Sequence, residues 1–457
     1  MGSIKARPPL PPGPYLVVGL ARSGQAAVRL LARRGETVIA VDSGSPEGAA
    51  ALAAEGAEVH LGEDGVSRVA GARCVIKSPG VPSSAPAIVA AGERGASMIG
   101  ELELAWRLLP NRFCAITGTN GKTTVAELLG HVWRTAGEPV AVAGNVGRPL
   151  ASLVGEVDAE ATIVCEASSF QLEDSREFAP ECGVLLNVAP DHLDRHGTLP
   201  RYLAAKLRLF ANQGNDDVCV YNGSEPGLAG VDLGGCGRRV AFCADPALGD
   251  DCGAVVAAET IELWGEPLIE RSALGLIGPH NHANAAAAAA AADALGIDRE
   301  AIADGLRTFA GLPHRLERVA EIDGVVYVND SKATNVAAAA AALRSFDRGV
   351  RVILGGSLKG GSFAELAEPV AERCRAAYLI GPATESIERD LEPAWRAGVE
   401  RLRCDGLDAA VAAAALAAAA GEVVLLAPAC ASFDAFRDFE QRGERFRALV
   451  GELSARA

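Results

Sequence analysis

Short apolar runs bounded by glycine, proline or charge recur along the chain, and the stretches between them repeat polar and apolar positions at helical spacing. Residues 15–20 and 37–42 read as buried strands around a helix at 22–34, which makes a βαβ unit. Residues 74–78, running into Pro79-Gly80, add a strand that enters a turn, so the first hundred residues predict a small parallel α/β domain. A second alternation opens with a strand at 113–117, a glycine-rich turn and a helix from Lys122 to about Ala136. It continues with strands at 162–166 and 184–188 and closes with an alanine-rich helix after His280. A third begins near Leu312, with strands at 325–328, 350–354, 377–380 and 423–427. Between about 216 and 275 the periodicity is weak and no element is placed.

The expected fold class is therefore α/β in three domains: a Rossmann-like domain at 1–101, a central P-loop ATPase-type domain at 102–311 and a Rossmann-like domain at 312–457. The length agrees, since 457 residues exceed what one core supports and divide into about three domains at roughly 150 residues each. With 49% hydrophobic and 22% charged residues the chain is globular.

A net charge of −15 repels polyanions, so nucleic acid and anionic membrane are excluded as general partners. The longest apolar stretch, at 283–294, is short and rich in alanine, a helix former more than a membrane anchor. Eleven cysteines without a C-x-x-C pair predict buried thiols in a reducing compartment, with neither a disulfide framework nor a zinc site. A soluble cytoplasmic protein is expected.

The sharpest chemical signal is T-G-T-N-G-K-T-T at 117–124, between a strand and a helix. In such a loop the glycines let backbone N–H groups approach phosphate, Lys122 neutralises it and the Thr123 hydroxyl ligates Mg²⁺. The generic loop has a glycine where this chain has Ile116. Glu166 ends an apolar strand at the carboxyl edge of a parallel sheet, where a carboxylate either holds a metal or is merely solvated. By spacing alone His192 reads as a structural histidine and Lys206 as a solvated helix lysine. Asn281 and Asn284 share one helix face, suited to a planar base or to capping. G-L-A-R-S-G at 19–24 is a weak dinucleotide fingerprint because Ala21 replaces the middle glycine, and packing of the turn explains it equally well.

The loop variant G-T-N-G-K-T-T resembles that of the Mur ligases and of the related folylpolyglutamate synthases. G-N-V-G at 144–147, E-A-S-S-F-Q-L-E at 166–173, N-V-A-P-D-H-L-D at 187–194, K-L-R at 206–208, G-P-H-N-H-A-N at 278–284, L-P-H-R at 312–315, N-D-S-K-A-T-N at 329–335 and A-P-A-C-A-S-F at 427–433 resemble Mur ligase motifs, in family order over nearly the whole chain. The E-x-S-S-F-Q-L run looks like that of the member that adds D-glutamate to UDP-N-acetylmuramoyl-L-alanine.

The resemblance implies an ATP-dependent amide-forming ligase of cytoplasmic cell-wall precursor synthesis, acting through an acyl phosphate and releasing ADP and phosphate, as a monomer. It implies ATP contacts from Gly118, Thr119, Asn120, Gly121, Lys122, Thr123 and Thr124, with Asn281 and Asn284 at the adenine and ribose and Arg315, Asp330 and Lys332 from the C-terminal domain. Lys122, His192 and Lys206 carry catalysis in this reading. Two Mg²⁺ ions are implied, held by Thr123, Glu166, His192 and Lys206, the last as a carbamate. The UDP substrate falls to Ser23, Asp42, Ser43, Ser78, Asn145 and His192, and D-glutamate to Thr334, Lys359, Ser432, Phe433 and Phe439. One departure from the family is Ser362, which stands where K-x-x-D-F has its acid. Folylpolyglutamate synthesis is the competing activity, and residues 15–100 and the S-S-F-Q-L run argue against it. A nucleotide-dependent switch and a nicotinamide-dependent dehydrogenase are the readings from other classes.

Overall fold

The computed structural model describes residues 5–358 and 361–455, and its strands form three sheets. In the first, β1 (Tyr15–Val18), β2 (Val38–Asp42), β3 (Glu58–Leu61), β4 (Cys74–Lys77) and β5 (Ser97–Gly100) run parallel in the order β3-β2-β1-β4-β5. The helices α1 (Arg22–Arg33), α2 (Pro86–Glu93) and α3 (Glu101–Leu108) accompany them. α1 buries Ala26, Ala27, Val28, Leu30 and Leu31 along one stripe, so its apolar spacing fixes the face it packs. At its start a Cβ on Gly24 would lie 1.8 Å from the Gly19 carbonyl oxygen, which explains the second glycine of the 19–24 run by packing alone.

The second sheet holds β6 (Phe113–Thr117), β7 (Val140–Gly144), β8 (Thr162–Glu166), β9 (Cys182–Leu185), β10 (Val218–Asn222), β11 (Arg238–Cys243), β12 (Cys252–Val256), β13 (Thr260–Leu263) and β14 (Glu266–Glu270). Their order is β14-β13-β12-β11-β10-β9-β6-β8-β7, parallel except for the β12–β13 and β13–β14 pairs. With them go α4 (Lys122–Thr135), α5 (Ser169–Glu173), α6 (Leu193–His196), α7 (Leu199–Leu207), α8 (Pro279–Ala294) and α9 (Arg299–Thr308). Ala285 to Ala292 are all buried, so the low-complexity run is a helix packed closely all round.

The third sheet comprises β15 (Glu317–Ile322), β16 (Val325–Asn329), β17 (Val350–Gly355), β18 (Cys374–Ile380), β19 (Glu400–Arg403) and β20 (Val423–Leu426) in the order β15-β16-β20-β17-β18-β19, with only β15 antiparallel. Its helices are α10 (Val336–Leu343), α11 (Ala367–Arg373), α12 (Thr384–Asp390), α13 (Glu392–Arg396), α14 (Gly406–Ala417) and α15 (Phe439–Ser454). Separate apolar clusters fill its two faces.

Two compact units result, one of residues up to Ala273 with Ala283–Arg307, the other of Leu274–His282 with Thr308–Ala457. The first unit carries two sheets over one continuous core, in which Phe178 meets Trp106 of α3 and Phe113 of β6 edge-on at 5.6 and 6.1 Å. The three-domain α/β expectation holds in architecture.

Three local expectations differ. The strand expected at 184–188 is β9, Cys182–Leu185, because the chain leaves the sheet to wrap the phosphate loop. Residues 216–275, left unplaced, hold five strands, the last two an edge hairpin whose turn has Trp264 and Gly265 at φ 55° and 78°; a tryptophan at that first position hides the usual turn signal. The expectation of eleven thiols is corrected by a Cys243–Cys252 disulfide, because adjacent strands β11 and β12 bring together two cysteines nine residues apart. Among the described residues no helix is long and apolar enough to cross a membrane.

Candidate active site

β6 ends at Thr117 and α4 begins at Lys122, so the glycine-rich turn lies at the carboxyl edge of the central sheet. Gly121 has φ +85°, and a Cβ there would come within 2.5 Å of Asn284 Oδ1, so the turn requires glycine and is covered by the buried Asn284. Asn187 brackets the loop from the next strand connection. Its Oδ1 accepts from Thr119 N at 3.1 Å and Asn120 N at 2.9 Å, and its Nδ2 donates to Asn120 O at 3.1 Å. No role was assigned to Asn187, although the 187–194 run that contains it was legible.

Two lysines meet on one carbonyl. Lys122 Nζ donates to Gly118 O and Thr119 O at 2.9 Å each, and Lys206 Nζ, from α7, donates to the same Gly118 O at 2.7 Å. Lys206 is 1% exposed, with its amine 4.3 Å from the Tyr202 ring centroid. Burial, reinforced by the charge of Lys122, lowers the Lys206 pKa to about 7. The solvated-lysine reading therefore fails.

Thr123 Oγ1 donates to Glu166 Oε2 at 2.8 Å, and Asn145 Nδ2 donates to Glu166 Oε1 at 2.9 Å. Asn145, expected at the UDP substrate, donates here to the carboxylate of Glu166. A Cβ on Gly144 would sit 2.2 Å from Glu166 O, so glycine there lets Asn145 N reach that oxygen at 2.8 Å. A hydroxyl and a carboxylate converging at the end of the loop are hard oxygen donors of the kind Mg²⁺ takes together with substrate phosphates. No cage of three His, Cys, Asp or Glu side chains exists among the described residues, as an ion shared with a triphosphate requires none.

The S-S-F-Q-L run builds the adjoining wall. Ser168 and Gln171 form a capping box that starts α5, and Ser169 Oγ pairs with His196 Nε2 at 3.0 Å. The Phe170 ring stacks on His196 at 5.5 Å, lies 4.8 Å from the His192 ring and carries the Arg195 guanidinium at 4.3 Å. His192 has φ +51° and is half exposed, with Nε2 3.5 Å from Asp191 Oδ2. Its ring centroid lies 6.4 Å from that of Tyr202, whose ring also meets the Lys206 amine.

In the N-terminal sheet Asp42 accepts from Leu20 N at 2.6 Å and Gly44 N at 2.7 Å, tying the loop at 20–23 to that at 42–44. These loops and the one at 78–80 follow β1, β2 and β4, neighbours where the strand order reverses, the place for a ligand in such sheets. Ser78 is buried and Ser23 lies in the first turn of α1. Just before Ser78, the buried Lys77 pairs with Asp174 Oδ2 at 2.6 Å.

In the second unit Asp330 is buried and accepts from Leu316 N at 3.3 Å; desolvation outweighs the pull of Arg315 and Lys332 and raises its pKa to about 6. Asn281 Nδ2 donates to Ile277 O at 2.8 Å, a bond to the segment that precedes α8. Lys332 Nζ lies 5.7 Å from the Phe439 ring, and Thr334 lines a cavity of about 420 Å³ with Ser362, Phe363 and Cys430. Ser432 is buried and Phe433 is 74% exposed. Ser362 Oγ donates to Asp390 Oδ2 at 3.0 Å, so α12 supplies an acid where the sequence had lost one. Lys359 lies outside the described residues.

A glycine-rich phosphate loop beneath a buried lysine, with a hydroxyl–carboxylate pair at its helix end, on the carboxyl edge of a parallel-rich sheet, defines a phosphate-loop α/β enzyme. The comparisons give its kind. The Mur ligase MurD-like N-terminal domain matches residues 14–100, the Mur ligase middle domain 116–292, and the Mur ligase glutamate ligase domain 314–430. A UDP-N-acetylmuramoylalanine--D-glutamate ligase of Pelotomaculum thermopropionicum is 42% identical over 96% of this chain and 97% of its own, and one of Acidobacterium capsulatum 41% over 95% of each. Among solved structures, UDP-N-acetylmuramate-alanine ligase of Thermotoga maritima superposes with TM-score 0.57 at 18% identity over 97% of this chain and all of its own. A MurF ligase of the same organism, in complex with ADP, gives 0.57 at 18% over 98% and 96%. The chain belongs to the Mur ligase family.

Proposed function

We propose that the protein ligates D-glutamate to UDP-N-acetylmuramoyl-L-alanine at the expense of ATP, in cytoplasmic peptidoglycan precursor synthesis. The observation that carries this is the convergence of Lys122 and Lys206 on Gly118 O beside the Thr123–Glu166 pair, walled by the S-S-F-Q-L run. The alanyl carboxylate attacks the γ-phosphate to give an acyl phosphate and ADP, and the amine of D-glutamate then displaces phosphate. Both reactants of the first step are anions, so the protein must neutralise and align them. Lys122 supplies charge at the phosphates. Thr123 and Glu166 would hold Mg²⁺, which when bound would supply neutralising charge at the phosphates. His192, half exposed on a left-handed turn, faces the carboxylate being activated.

Lys206, in this reading, adds CO₂ as the neutral amine and loses a proton to become a carbamate, an anion that with His192 would hold a second Mg²⁺. The loops at 20–23, 42–44 and 78–80 take the UDP moiety, Asn284 and Asn281 the nucleoside of ATP, with Arg315, Asp330 and Lys332. Thr334, Lys359, Ser432, Phe433 and Phe439 take D-glutamate. Domain limits at 101 and 311 belong to this reading, the first supported by the end of β5 at Gly100. The enzyme acts as a monomer, with no nucleic-acid or membrane partner.

The test supplies ATP, Mg²⁺ and UDP-N-acetylmuramoyl-L-alanine with D-glutamate, L-glutamate, L-lysine or diaminopimelate in turn. Phosphate release with D-glutamate alone is expected. Turnover only with a diamino acid overturns the substrate, and release without any amino acid overturns the ligase.

A further inference from the structure

Arg442, in α15, is among the largest fully buried side chains, 1% exposed, and its contacts are unusual for a buried cation. Nε donates to Ser331 Oγ at 3.0 Å, Nη2 to Ser331 O at 2.9 Å and Cys430 O at 3.2 Å, and Nη1 to Ala431 O at 3.3 Å. Every acceptor is neutral. Among the described residues no carboxylate lies within ion-pair distance of it, and the nearby Asp434 accepts from Ser357 Oγ at 3.1 Å. A buried charge without an ion-pair partner is costly, and burial, outweighing the pull of Cys430 and Asp434, holds this guanidinium down to about 10.

The fork joins two loops. Ser331 sits between Asp330 and the run Lys332 to Thr334, and Cys430-Ala431 leads directly into Ser432-Phe433. Ser331 Oγ passes the contact on to Phe439 O at 2.8 Å, and Ala429, held at φ +59°, donates from its N to Ala333 O at 2.9 Å. The planar guanidinium therefore fixes the spacing of the segments that carry Thr334, Ser432 and Phe439, and its charge is left for whatever binds between them.

We propose that Arg442 is the positioning and specificity-determining residue of the amino-acid pocket, holding its two loops in register and supplying the positive potential that favours an amino acid with a second carboxylate over its neutral amide. This rests on the reading that these loops take the amino acid.

The experiment measures kcat and KM for ATP, D-glutamate and D-glutamine, with thermal midpoints, in the wild type, Arg442→Met and Arg442→Lys. Arg442→Met is expected to raise the KM for D-glutamate and cut the glutamate-to-glutamine preference in kcat/KM by about 10-fold or more, with the KM for ATP changed less than about threefold. Arg442→Lys, which keeps the charge and loses the fork, should retain the preference while the KM rises. An unchanged preference in Arg442→Met, or parallel rises in both KM values, overturns the proposal. Should Arg442→Met not fold, an unchanged KM for D-glutamate in Arg442→Lys overturns it equally. If the wild type turns over a different acidic amino acid, the same comparison runs on that acid and its amide. A wrong substrate then shows in the wild type, and a wrong role for Arg442 only in the variants.

Discussion

Lys206 donates from Nζ to the Gly118 carbonyl at 2.7 Å, on the same oxygen that receives Lys122. Two amines on one acceptor cannot both be fully charged at low cost, and burial lowers Lys206 to about 7 while the pair stays in place. Only a neutral amine adds CO₂, losing a proton as the carbamate forms, so the reactive form grows as pH rises through about 7. Enzyme in CO₂-depleted buffer should gain activity with added bicarbonate, more at pH 8 than at pH 6. Lys206→Ala should be nearly inactive and partly rescued by a short carboxylate; full activity without rescue rejects the carbamate.

Asn145 separates two roles. It was expected at the UDP substrate, and its amide instead holds Glu166 Oε1 at 2.9 Å while Thr123 takes Oε2. A side chain that orients a metal-binding carboxylate contributes about 10–100-fold to metal affinity. Asn145→Ala should therefore raise the Mg²⁺ concentration needed for half-maximal turnover by about that factor, with the KM for the UDP substrate nearly constant. A rise in the UDP-substrate KM at unchanged Mg²⁺ dependence returns Asn145 to its first assignment.

What the chain disclosed in advance followed from short-range physics. Buried parallel strands are continuous apolar runs, and a loop that binds phosphate must spell itself in glycine, lysine and threonine, so β6, α4 and Lys122 were readable at once. Lys206 was not, because its burial depends on α7 packing behind the loop, and helical spacing assigns such a lysine to solvent. Asn187 and Arg442 were missed for the same reason: each acts on a segment distant in sequence. The hairpin of β13 and β14 escaped because Trp264 occupies a turn position that usually announces itself with glycine or asparagine.

Glu101 is a buried carboxyl whose Oε1 accepts from Ala151 N at 2.6 Å while Oε2 has no partner among the described residues. Desolvation outweighs that one hydrogen bond and raises its pKa from 4.5 to about 7. Between those values the folded chain binds more protons than the unfolded one, so this group's stabilisation is complete below pH 4.5 and is lost as pH rises through about 7. The thermal midpoint of wild type minus that of Glu101→Gln should therefore fall from pH 5 to pH 8 and then level off. A difference independent of pH would show that Glu101 stays ionised throughout.

Ser362 hydrogen-bonds Asp390 Oδ2 at 3.0 Å, and the same oxygen accepts from Phe363 N at 2.8 Å. These donors, the backbone one first, hold Asp390 below the usual carboxylate range, so one negative charge is already in place beside the loop after β17. Restoring the family's acid by Ser362→Asp would set two carboxylates against each other and remove a donor. In this partly exposed site the loss should be on the order of 1 kcal/mol after screening, or a few degrees in thermal midpoint, and smaller in high salt. Adding Asp390→Ser to Ser362→Asp moves the acid across the pair, leaves one charge and one hydroxyl, and should recover most of the loss. Equal destabilisation by single and double variants would mean that position 362 excludes an acid for want of space, and that Asp390 has not taken over its charge.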